Sequence, residues 1–186
     1  MTDTKTAPEA LAEWAEKTPE RAFLTQPFEG DVREWTFRQA YDDAARFASA
    51  LLTFGLTPGD RVAILSKNCA EWVIADAAIS MAGLVSVPIY PTAGTDTISY
   101  VLEHSGARVA IIGRLDDLDA VRRALSPEVA TIGLRYPGID CQHDWQALID
   151  GSEPIESMHR PTSDEVMTIL YTVSYTHLTL PTKVLV

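Results

Sequence analysis

Four short, apolar-rich runs recur through the middle of the chain, at residues 62–65, 85–89, 109–112 and 129–134. Their spacing is about 20–25 residues, and a stretch with helical signals fills each gap. A strand with apolar side chains at consecutive positions must bury both of its faces. Parallel strands in one sheet also need a crossover long enough to hold a helix. The pattern therefore predicts an α/β fold: a largely parallel sheet with flanking helices.

The local signals agree with that rhythm. Thr6 with Glu9 and Thr36 with Gln39 have the spacing of capping boxes. The first opens a helix that places Leu11, Trp14 and Ala15 on one face and is ended by Pro19. The second opens the clearest helix in the chain, with Phe37, Tyr41, Ala44, Ala45, Ala48, Leu51 and Leu52 at helical spacing. Between them, residues 22–25 and 32–36 are expected to be strands around the turn Glu29-Gly30-Asp31. Asn68, with Glu71 three residues on, is expected to cap a deeply buried helix running to about Ala82. Further helices are expected from Thr95 to His104, from Leu115 to Leu125 and from Trp145 to Ile149. Residues 151–163 carry Pro154 and Pro161 and are expected to be a loop, and 166–171 a final strand.

Composition excludes several classes. The chain has 186 residues, 46% of them hydrophobic, with 15 Lys and Arg against 26 Asp and Glu and a formal charge of −11. That hydrophobic content rules out wholesale disorder, and the acidity argues against binding bulk nucleic acid. Two cysteines, Cys69 and Cys141, make neither a disulfide framework nor a four-thiolate zinc site. No stretch of about 20 predominantly apolar residues exists to span a membrane. A reduced, cytoplasmic setting is the expectation, with the longer parent described below either soluble or peripheral to a membrane.

No complete active site is present in the sequence. The chain has neither a G-x-x-x-x-G-K-[ST] loop nor a G-x-G-x-x-G turn. Ser66-Lys67-Asn68 follows a buried strand and opens a helix, which is the sheet edge where α/β proteins bind ligands. Lys67 is a candidate to meet an anion there, beside a plainer reading in which Asn68 caps the helix and Lys67 is solvated. Cys141, His143 and Asp144 are neighbouring potential metal donors, but they lack distant ligands and are expected to form a surface loop. His104 belongs at a helix C-terminus, where an imidazole suits the dipole. Pro88, Tyr90 and Pro91 form a stiff strand exit, and Trp14, Trp35, Trp72 and Trp145 are expected to pack.

These residues carry a family likeness. The run Gly59-Asp60-Arg61-Val62-Ala63-Ile64-Leu65-Ser66-Lys67-Asn68 resembles the first core strand of the adenylate-forming (AMP-binding) enzymes. So do Glu71-Trp72 through Gly83, Val87-Pro88-Ile89-Tyr90-Pro91-Thr92, and Tyr100-Val101-Leu102-Glu103-His104-Ser105-Gly106-Ala107-Arg108. The Tyr-Pro-Thr exit is most similar to long-chain fatty acyl-CoA synthetases. The likeness covers about residues 8–172 and implies that residues 1–172 are the N-terminal, truncated portion of that fold.

The family's phosphate-binding motif should follow Ile169-Leu170-Tyr171-Thr172. There, Tyr-Thr leads into Ser-Gly-Thr-Thr-Gly, one variable residue, then Pro-Lys-Gly. Glycines let backbone approach the ATP phosphates, while hydroxyls, N–H groups and the lysine bind them. Thr172 is the one position here that matches, as a contact to ATP phosphate. Residues 173–183 lack glycine and place Pro181 and Lys183 out of register. Residues 173–186 resemble translated sequencing-adapter sequence and are expected to be a non-native tail. The likeness implies a parent that is a ligase using ATP and Mg²⁺, with fatty acid and coenzyme A as substrates. It implies an acyl-adenylate, then a thioester, with no catalytic or metal-ligating residue inside this chain and no activity from the fragment alone. The alternative is a free-standing α/β small-molecule-binding module without catalysis.

Overall fold

In the computed structural model, residues 5–28, 30–162 and 164–171 are described. Helix α1 (Ala7–Lys17) leads into an antiparallel hairpin of β1 (Ala22–Phe28) and β2 (Asp31–Thr36), followed by α2 (Phe37–Leu52). A repeating strand–helix series then begins: β3 (Arg61–Leu65), α3 (Ala70–Met81), β4 (Val85–Ile89), α4 (Thr95–Ser105), β5 (Val109–Ile112), α5 (Leu118–Ala124) and β6 (Ala130–Gly133). The two-residue strand β7 (His143–Asp144) and α6 (Trp145–Asp150) complete it. Five strands form one sheet in the order β4-β3-β5-β6-β7, and every neighbouring pair is parallel.

The consecutive apolar residues divide between the two faces as the pleat requires. Val62 and Ile64 point into one core with α1, α2, α3 and α6, while Ala63 and Leu65 point into the other with α4 and α5. The result is three layers, with the sheet in the middle; on the inner strands the polar residues are Arg61, at the start of β3, and Thr131 of β6. α3 is the helix pressed hardest into the structure; among its apolar residues only Val73 is well exposed. That matches its nearly all-round apolar surface.

Several local expectations need correction. Asn68 does not cap α3. The N-cap is Cys69, whose side chain makes no cap bond, and the Ala70 N–H instead donates to Gln26 Oε1 of β1 at 3.2 Å. A side chain 44 positions away does the work that a local Asn ordinarily would. α5 begins at Leu118, three residues late, because the Asp117 carboxylate accepts from the Ala120 N–H at 2.9 Å and sets the start there. Trp14 is not buried with Leu11 and Ala15. It is 42% exposed and stacks on Phe37 at 5.9 Å.

The largest departure is the segment 166–171, which forms no named strand. One parallel bridge joins Thr168 to Ser86. It consists of Ser86 N–H to the Met167 carbonyl at 3.0 Å and Ile169 N–H to the Ser86 carbonyl at 2.9 Å. The next rung would need an N–H from Pro88, which has none. The ladder stops there, with Val166 62% and Leu170 67% exposed.

Candidate functional site

The chain leaves β3 toward β4 on one side and returns to β5 on the other, so the sheet has its topological switch point between β3 and β5. In open parallel sheets, ligands bind in the crevice outside the carboxyl ends of the strands at that point. Here the crevice is a cleft of about 250 Å³ lined by Lys67, Gly113, Arg114, Asp116, Tyr136 and Pro137, among others. The two exits are stitched together: Lys67 N–H donates to the Arg114 carbonyl at 2.7 Å and Gly113 N–H to the Leu65 carbonyl at 2.9 Å. The Lys67 ammonium meets Asp116 at 2.5 Å, and the Arg114 guanidinium lies 5.9 Å from the Tyr136 ring. Arg114 is exposed and Lys67 half-buried.

The half-buried Tyr136 lines the cleft and is backed by a buried carboxylate. Glu71, in the first turn of α3, is 3% exposed; its carboxylate accepts from the Tyr136 hydroxyl at 2.8 Å and faces Arg33 of β2 at 3.5 Å. Burial, together with the bond to Glu71, pushes the Tyr136 phenol well above its ordinary range, so it stays a donor. Arg33 also covers the Phe28 ring at 3.9 Å, and Phe28 meets Tyr136 edge-on at 5.5 Å. The hairpin is thereby fastened to the switch point. Burial raises the thiols of Cys69 and Cys141, so neither is an activated nucleophile.

A second cleft of about 510 Å³ opens at the carboxyl end of β4, between the exit Pro88–Ile89–Tyr90 and α4, with Tyr171 on its wall. It is mainly apolar and rimmed by Thr92 and Thr97. Tyr171 reaches His104, in the last turn of α4, with 2.7 Å between hydroxyl and Nδ1, and Tyr100 stacks on His104 at 5.3 Å.

The other candidates separate. His143 packs edge-on against Phe54 at 4.9 Å, and Asp144 caps α6 by accepting from the Ala147 N–H at 2.8 Å. Cys141 lies beside Gly133 and Thr131 near a cavity of about 40 Å³. His159 pairs with Glu165 at 2.6 Å. Among the described residues no three His, Cys, Asp or Glu side chains converge as metal donors. Thr172 and residues 173–186 lie outside the described residues. Sequence reading found Lys67 but missed Arg114, Tyr136 and Glu71 as its companions. The available signal was Gly113-Arg114 directly after a buried strand, a second exit on the same edge.

A family model described as AMP-binding enzyme matches residues 11–174. The chain belongs to that family. Among curated proteins it is 29% identical over 157 residues to "Long chain acyl-CoA synthetase 1" of Arabidopsis thaliana, covering 74% of this chain and 23% of that protein. It is 38% identical over 91 residues to "Fatty acyl-CoA synthetase A" of Dictyostelium discoideum, covering 49% and 14%. The chain thus spans about a quarter or less of these relatives. Two solved structures share its fold. A benzoate CoA ligase from Burkholderia xenovorans LB400 has a TM-score of 0.73 at 22% identity, covering 89% of this chain and 32% of that one. An anthranilate CoA ligase in complex with anthranoyl-AMP has a TM-score of 0.77 at 21% identity, covering 92% and 32%. No helix among the described residues is long and apolar enough to cross a membrane.

Proposed function

We propose that residues 1–172 of this AMP-binding chain are the N-terminal part of an ATP-dependent acyl-CoA ligase. The observation that supports this best is where the match runs. It covers residues 11–174, so it spans the whole α/β series from α1 through Tyr171 and takes in Thr172, where the phosphate-binding motif would open. The fatty-acid class rests on the relatives named for long-chain and fatty acyl-CoA synthesis and on the Tyr90-Pro91-Thr92 exit. In the proposed reaction the substrate carboxylate attacks the α-phosphate of ATP, expelling pyrophosphate. The thiol of coenzyme A then attacks the acyl-adenylate carbonyl and expels AMP.

This chain's share of that chemistry is placement. Tyr171, in contact with His104 of α4, lines the apolar cleft beyond β4, and the next residue in sequence, Thr172, would meet ATP phosphate. Arg114 offers positive charge at the switch point, beside the Lys67–Asp116 ion pair, both placed directly after strand exits. The described residues do not fit a Mg²⁺ site, since no acidic cluster forms, and no step runs through that ion. Without the glycine-rich loop the oxygens of a developing pyrophosphate have no cradle. The 186-residue chain is therefore expected to release no pyrophosphate from ATP with a fatty acid and coenzyme A. A rate above the enzyme-free control in a coupled pyrophosphate assay would refute this.

A further inference from the structure

Residues 164–171 wall one side of the apolar cleft beyond β4, and few contacts keep that wall in place. Two backbone bonds join it to Ser86, and Tyr171 meets His104. Val166 and Leu170 are exposed. A segment tied so lightly opens more readily than the core it leans on. The chain that leads into it is fastened differently. Residues 151–162 form no helix or strand, yet they are tied to α2 and α3 at successive points. Arg46 donates to the Ser152 carbonyl at 2.6 Å, the Ile155 N–H to the Ala45 carbonyl at 3.0 Å, and the His159 N–H to the Met81 carbonyl at 2.8 Å. Ile155 and Met158 pack against the core on that side of the sheet.

His159 ends the fastened part. Its imidazole occupies the space that a side chain on Gly83 would take: a Cβ there would lie 3.0 Å from the ring's Cγ. From that seat Nε2 meets the Glu165 carboxylate at 2.6 Å. The other carboxylate oxygen accepts from the Thr162 N–H at 3.0 Å and from its hydroxyl at 3.1 Å. The Thr162 N–H first, and then His159, hold the Glu165 carboxyl below the usual carboxylate range, so it is a charged acceptor. Three residues further on, Thr168 makes the bridge to Ser86.

We propose that the His159–Glu165 pair is a clasp that holds residues 164–171 as a removable wall of the apolar cleft. With the clasp closed, the bridge forms and Tyr171 stands against α4. With it open, the two bonds at Ser86 and the Tyr171–His104 contact are lost together, and the cleft opens along the edge of β4. The Nε2–H donates to the carboxylate both in the charged imidazole and in the neutral ring with its proton on Nε2. The two side chains are 31% and 43% exposed, so the clasp is a weak one that opens without unfolding the core.

The test uses the purified 186-residue chain and needs no ligand. Amide exchange at Ser86 and Ile169 reads the two bridge bonds, and relaxation dispersion of the Tyr171 ring reads the wall. Glu165→Ala should speed exchange at both amides by one common factor, roughly twofold to tenfold, with Ile64 and Ile111 unaffected. The open population seen at Tyr171 should rise by that same factor. His159→Ala should act alike, whereas His159→Gln, whose amide nitrogen reaches the place of Nε2, should keep most of the protection. Exchange that ignores Glu165→Ala would overturn the proposal. So would two amides that respond by different factors, a Tyr171 ring that does not follow them, or His159→Gln behaving like His159→Ala. Should His159→Ala fail to fold, Glu165→Ala, a change at an exposed side chain, still decides it.

Discussion

Gly106 ends α4 at φ +64°, and a Cβ there would lie 2.6 Å from the Arg61 guanidinium. That group cannot step aside freely. It donates to the carbonyls of Ser105 at 2.6 Å and Gly106 at 3.2 Å, satisfying helix-end acceptors that would otherwise be orphaned. Gly106→Ala is therefore expected to cost about 1–2 kcal/mol, read from the urea midpoint. Gly94→Ser should do the opposite. It sits in open space at the N-cap of α4 with φ −78°, and a capping hydroxyl there should add about 0.5–1 kcal/mol. Charge is tested at Asp76. Burial holds its carboxyl above the ordinary range, so the folded state binds the proton more tightly than the unfolded chain does. Ionised Asp76 then opposes folding at neutral pH, and the penalty vanishes once pH falls below both values. Asp76→Asn should raise stability at pH 7 and lose that advantage in melts near pH 3. A gain that persists at low pH would contradict the burial account.

At the scale of elements, the strands were the most legible part. Residues 85–89 and 109–112 are strands with the expected bounds, because buried parallel strands carry continuous apolar runs that nothing else of that length explains. Both capping boxes form, since their partners are three residues apart. What the sequence concealed depends on partners far along the chain. The α3 cap comes from Gln26 and the wall of the cleft from Tyr136, and neither can be located before the strand order is known. The two-residue strand β7 has too few residues for any periodicity. The absent strand at 166–171 was decided by the missing N–H of Pro88 on its neighbour, while its own residues favour a strand. The cap assignment can be checked by paired substitutions. Gln26→Ala should destabilise by about 1 kcal/mol, as losing a helix cap does, whereas Asn68→Ala should change stability by less than about 0.5 kcal/mol. A larger loss at Asn68 would restore the local cap.

For the whole molecule, three layers bury a sheet whose carboxyl edge gathers every feature that points to ligand chemistry: Lys67 and Arg114 at the switch point, the apolar cleft beyond β4, and Tyr171 leading to Thr172. The chain belongs to the AMP-binding enzymes and spans 23% of one acyl-CoA synthetase relative and 32% of two solved CoA ligases. The central claim is that its functional context is a longer ligase in which residue 172 begins a phosphate-binding loop. The most direct measurement is to read the source DNA through the codon for Thr172. The account predicts codons for a Ser-Gly-Thr-Thr-Gly-like loop there, followed by several hundred further residues. A native gene that encodes Val-Ser-Tyr-Thr-His after Thr172 and stops at Val186 would contradict it, and would leave a binding module without catalysis as the better description.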